Sequence, residues 1–119
     1  MSESTYDLFQ QGRERLRKGM AAQATVPLEK AKRLEPEKAS IREALGIAYF
    51  RLARWQDAER EFRTIVEELS PTDHYAHYAL GRSLERQGKT AEANGHYKLA
   101  SSMNPGSETY SSRILDLDA

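Results

Sequence analysis

Residues 45–62 read LGIAYFRLARWQDAEREF, and this stretch decides the fold. Leu45, Ala48, Tyr49 and Leu52 recur at helical spacing. Ala53 marks a break. Ala58 and Phe62 then open a second helical pattern that continues through Ile65, Val66 and Leu69. The stretch is therefore the middle of a helical hairpin. Each of its two helices carries an apolar stripe on one side and charge on the other.

The hairpin recurs on both sides of this stretch. Gly12, Gly46 and Gly81 are separated by 34 and 35 residues. The same two spacings hold for Ala24, Ala58 and Ala93, for Leu28, Phe62 and Tyr97, and for Ala31, Ile65 and Ala100. Pro36, Pro71 and Pro105 close the three units, 35 and then 34 residues apart. The one-residue excess therefore falls between Ile65 and Pro71, and a loop insertion at Glu68–Ser70 is expected. Breaks between paired helices are expected at Gly19, Ala53 and Gly88, with Thr90 as N-cap of the last long helix. The glycines and alanines let paired helices approach closely, while Leu28, Phe62 and Tyr97 are expected to fill the space between hairpins. A lone hairpin cannot bury both apolar faces, so neighbours must stack.

The second unit, with Leu45-Gly46-Ile47-Ala48-Tyr49, Ala58, Phe62 and Pro71, resembles the tetratricopeptide repeat. The third resembles it through Leu80-Gly81, Leu84, Ala93, Tyr97 and Pro105, and the first, more degenerate, through Gln11-Gly12, Ala24, Leu28, Ala31 and Pro36. The matches span residues 5 to 107. The family's early Trp is replaced by Leu8, Arg42 and His77. The resemblance implies an all-α, right-handed superhelical solenoid of three helix-turn-helix hairpins. These form a single domain over 1–119, with repeats near 5–38, 39–73 and 74–107. Tyr110, Ile114 and Leu117 share a helical face and predict a capping helix over 107–117. Pro27 lies inside a helix, which is expected to kink or start late. Met1 and the cap-like end suit a free-standing protein.

Bulk composition agrees. The chain has 119 residues, 39% hydrophobic and 30% charged, with a mean hydropathy of −0.77. An elongated stack leaves much of each helix wet, which fits that balance. Eighteen basic and eighteen acidic residues cancel, which argues against phosphate-led nucleic-acid binding. There is no Cys, so disulfide and thiolate chemistry are excluded. No signal peptide or membrane-spanning run is read, and the cytoplasm is the default location.

The resemblance also implies that the first helix of each hairpin lines a concave groove where peptides bind. The residues expected to face it are Tyr6, Phe9, Arg13, Leu16 and Arg17; Ser40, Glu43, Ile47, Phe50 and Arg51; and Tyr75, Tyr78, Arg82, Glu85 and Arg86. Arg17, Arg51 and Arg86 share one offset and are expected to form a ladder. Five arginines against Glu43 and Glu85 concentrate positive charge in an otherwise neutral chain. Guanidinium forks suit carboxylates, and aromatic rings give contact area at low entropic cost. An acidic segment with apolar or aromatic anchors is the expected ligand. The ordinary alternative is a solvated helix face. Relatives that clamp the C-terminal carboxylate of chaperone tails use Lys, Asn, Asn, Lys and Arg. Those places here hold Phe9, Arg13, Ala44, Tyr75 and Ala79, so that clamp is not expected.

Other candidates have blander readings. His74 and His77 could start a metal site, but no further ligands suggest themselves, and a polar helix start is expected instead. His96 reads as a lone residue on a solvated face. Trp55 reads as packing, and Asp57–Glu61 as an outer face paired with Arg60 and Arg63. No catalytic, cofactor or metal residues are expected. The chain reads as a scaffold or adaptor binding a protein or peptide. Self-association, through a first hairpin with no dedicated cap, is the second reading. RNA binding is a weaker third.

Overall fold

A computed structural model describes residues 3–114. The chain forms α1 (Thr5–Arg17), α2 (Ala21–Leu34), α3 (Ala39–Arg51), α4 (Trp55–Thr64), α5 (His74–Glu85), α6 (Thr90–Met103) and the short α7 (Glu108–Ser111). No strand occurs among the described residues. Helices pair as α1 with α2, α3 with α4 and α5 with α6, and each hairpin packs on the next. The stack measures 58 × 25 × 22 Å.

The turns explain how each hairpin closes. Gly19, Ala53 and Gly88 all take positive φ, at 76°, 58° and 79°. At Ala53 the next amide, Arg54 N, donates to Tyr49 O at 2.9 Å, and Ala53 N donates to Phe50 O at 3.1 Å. This pair of hydrogen bonds is the Schellman closure, which glycine adopts freely. Alanine there costs about 1 kcal/mol of backbone strain. The starts of α1, α5 and α7 are capped by short side chains: Ser4 Oγ accepts from Asp7 N, Asp73 Oδ1 from Ala76 N, and Ser107 Oγ from Tyr110 N. Thr90 is not an N-cap. Lys89 precedes α6 without a side-chain cap, because the preceding turn already fixes the chain direction.

Two local expectations change. The extra residue of the second unit is not a loop insertion. It is absorbed as a π-helical segment, Ile65–Leu69, that prolongs α4 and closes with Ser70 N donating to Ile65 O at 2.7 Å. One added residue widens a helical turn without ending the helix, so Ile65 and Val66 both stay buried. Pro27 does not delay its helix, which runs from Ala21 to Leu34. Proline deprives Gln23 O of its usual amide partner, and Arg15 Nη1 donates to that carbonyl instead, at 2.9 Å.

The large residue of each second helix packs inside its own hairpin, which corrects the expectation that it fills the gap between hairpins. A Cβ on Gly12 would lie 2.3 Å from Leu28, one on Gly46 2.5 Å from Phe62, and one on Gly81 2.5 Å from Tyr97. The two ends of the stack are finished differently. Buried Ile41, Ala44, Leu45 and Ala48 lie on α3, which packs on α1 and α2. The α1 residues in the same phase are Asp7, Gln10, Gln11 and Glu14, so the α1 end of the stack is polar. At the other end, Tyr110 is buried, with its hydroxyl 2.8 Å from His74 Nδ1 and its ring 5.1 Å from Tyr78. α7 is shorter than the expected capping helix, and Leu117 lies outside the described residues.

Candidate functional site

The first helices of the hairpins, α1, α3 and α5, lie side by side and form one face. Two hollows run along it. One is lined by Phe9, Arg13, Leu16, Ser40, Glu43 and Ala44, and the other by Phe50, Phe62, Tyr75, Tyr78, Ala79 and Arg82; Ile47 and Arg51 border both. The hollows thus join into a groove. Tyr6 stands beyond its α1 end, 68% exposed, beside a smaller recess that it shares with Phe9.

Each arginine has a distinct setting. Arg82 stands between two rings, 5.1 Å from the Phe50 centroid and 6.0 Å from that of Tyr78, and donates to Tyr78 Oη at 3.2 Å. Arg13 covers Phe9 at 5.4 Å. Arg51 donates to Leu16 O at 2.8 Å, so it ties the end of α1 to α3 while bordering both hollows. Rings beneath a guanidinium hold it in place without neutralising it. The groove's acidic residue, Glu43, is half-buried. Lost hydration raises its pKa, Asp73 raises it further, and Arg13 opposes both.

The sequence model of the tetratricopeptide repeat matches residues 9–74 and, one repeat later, 43–108. The chain belongs to the tetratricopeptide repeat family. No curated protein gives a significant sequence match. Among solved structures, the first TPR of Spaghetti (RPAP3), bound to the HSP90 peptide SRMEEVD, is similar with 20% identity and a TM-score of 0.89; the match covers 96% of this chain and 90% of that one. MamA is similar with 24% identity and a TM-score of 0.89, over 92% of this chain and 64% of its own. The Yersinia enterocolitica type III secretion translocator chaperone SycD is similar with 14% identity and a TM-score of 0.85, over 96% and 91%. At these identities the likeness is one of fold.

Within this tetratricopeptide repeat stack, some expected groove residues lie elsewhere. Arg17 turns onto Glu14 of its own helix at 2.5 Å and is 73% exposed. Arg86 covers Trp55 at 5.3 Å, at the turn edge of the stack. With Arg51 engaged on Leu16 O, the three do not form a free ladder. Glu85 accepts from Tyr97 Oη at 2.8 Å. Phe62, on α4, is a groove residue that the sequence reading missed. It reaches this face because Gly46 leaves its ring room to pass between the helices.

Away from the groove, Glu61 is buried rather than solvated. It accepts from Lys32 Nζ at 2.8 Å and Arg42 Nη1 at 3.0 Å, joining α2, α3 and α4. His96 is likewise not a lone surface residue, since its ring stacks on His77 with centroids 5.3 Å apart. Among the described residues there is no cluster of three metal-ligating side chains and no helix long and apolar enough to cross a membrane.

Proposed function

We propose that this chain is a protein–protein interaction module, a scaffold or adaptor that holds an extended peptide in the groove of α1, α3 and α5. The peptide places an apolar or aromatic side chain over Phe62, between Tyr75, Tyr78 and Phe50. Its carboxylates meet Arg82, Arg51 and Arg13. The observation that carries this reading is Arg82, held between two rings at the rim of an apolar hollow and paired with no carboxylate among the described residues. Such a cation is positioned before the ligand arrives, which lowers the entropic cost of binding.

The RPAP3 domain, of the same fold, is bound to a peptide whose sequence, SRMEEVD, is acidic. In this chain the places where the family resemblance would put a clamp for a terminal carboxylate hold Phe9, Arg13, Ala44, Tyr75 and Ala79. Internal acidic residues beside an aromatic are therefore the proposed feature, rather than a free chain end. Continuing the stack with a second copy has less support, because the α1 face is polar at the end where a neighbour would dock.

A displayed library of random peptides tests the reading. Selected binders should pair Asp or Glu with an aromatic or large aliphatic residue. Arg82→Glu should weaken them roughly tenfold or more, as expected for loss of a charged partner in a half-enclosed site. Circular dichroism should be unchanged. Binding that survives Arg82→Glu intact would contradict the proposal.

A further inference from the structure

One slot in the stack is filled with three different chemistries. Residues 8, 42 and 77 are equivalent positions of the first helices, and 27, 61 and 96 of the second. In the first hairpin the slot holds Leu8 and Pro27, both buried. In the second, Arg42 donates to Pro36 O at 2.8 Å and to Glu61 at 3.0 Å. In the third, His77 Nε2 lies 2.8 Å from Pro71 O, and its Nδ1 lies 3.1 Å from His96 Nδ1. Pro71 is the repeat equivalent of Pro36. The histidine pair thus occupies the place of an ion pair.

Hydrogen-bond logic fixes the protons. A carbonyl only accepts, so His77 Nε2 carries hydrogen and, in the neutral ring, its Nδ1 is a bare acceptor. His96 Nδ1 must then donate. A first added proton can go to His96 Nε2 and leave that bond intact. A second has only His77 Nδ1, which would set two N–H groups face to face at 3.1 Å. The folded pair therefore carries at most one charge. The neighbouring groups relieve this only in part. Arg63 of α4 adds positive charge, and its carboxylate partners Glu59, Glu67 and Glu92 are already bonded to it.

We propose that the His77–His96 pair is a proton-sensitive contact: acidification weakens the packing of α5 on α6, while the corresponding slots of the first two hairpins, which hold no histidine, are unaffected. The direction follows from linkage. Burial, then His77, then Arg63 lower the pKa of His96 against weaker opposition from Glu92 and Glu67. In the unfolded chain an imidazole titrates near the usual value of about 6.5. Below that pH the unfolded state binds more protons, so stability is present above it and lost as pH falls.

Ring-proton NMR of the full chain is the direct test. The two histidines should titrate as a coupled pair, with the second step displaced well below the first, and His96→Gln should leave His77 with a single step. Independent titration of both near the ordinary value would overturn the proposal. Thermal melting at pH 7.5 and 5.5 is the second arm. The native chain should lose about 4 °C or more on acidification. His77→Arg with His96→Glu, which recreates the second hairpin's slot, should remove most of that loss. An undiminished loss in a folded double variant would also overturn it. If the double variant does not fold, the NMR titration decides alone.

Discussion

Gly46→Ala is expected to destabilise the fold by about 2 kcal/mol, although alanine is the better helix former by about 1 kcal/mol. The added methyl would sit 2.5, 2.7 and 2.8 Å from three atoms of the Phe62 ring. Phe62 is 1% exposed, so its ring must be pushed out of its packed place towards the hollow or the helices must part, and either costs stability. Gly95 supplies the control, because it too is helical and a methyl there meets nothing within 4 Å. Gly95→Ala should stabilise by about 0.5–1 kcal/mol. Urea unfolding followed by circular dichroism distinguishes them: one midpoint falls and the other rises. A gain for both would mean that α3 and α4 are not in contact at Gly46.

Glu61→Gln is expected to cost about 2–3 kcal/mol. The variant keeps the shape and removes the charge, which leaves Lys32 and Arg42 facing a neutral amide. The full penalty for a broken buried pair is larger, but the two cationic side chains retain 23% and 17% exposure and can reach water. Replacing both partners should hurt less than replacing one. Arg42→Leu with Glu61→Leu would fill the slot as Leu8 and Pro27 fill it in the first hairpin, and Lys32 would keep Glu29 at 3.4 Å. The double variant is expected to recover most of the stability in the same unfolding experiment. A double variant less stable than Glu61→Gln would show that the ion pair itself, rather than its desolvated remainder, holds the hairpins together.

The stacked-hairpin architecture was legible because its marks are steric. A glycine under a large side chain recurs wherever two helices touch, and such contacts tolerate few substitutes. The location of the extra residue was not legible. Periodicity counts residues, and a widened turn inside a helix counts the same as a longer loop. The groove could be read in outline, since helical phase places Phe9, Arg13, Ile47 and Tyr78 on one face. Phe62 was missed because it reaches that face from the partner helix. Arg17 and Arg86 were misplaced because phase fixes where a side chain starts, and a long guanidinium near a helix end goes to its best partner. Glu61 and His96 looked solvated for a related reason. Their partners lie 19 or more residues away, on other helices that only the folded stack brings near.

A peptide is proposed to lie along the face formed by α1, α3 and α5. Amide chemical-shift mapping with a selected acidic–aromatic peptide tests this most directly. Perturbed amides should cluster on α1, α3 and α5, around Arg13, Ile47, Phe50, Tyr78 and Arg82, and leave the outward sides of α2, α4 and α6 unmoved. Shifts confined to those outward sides would contradict it.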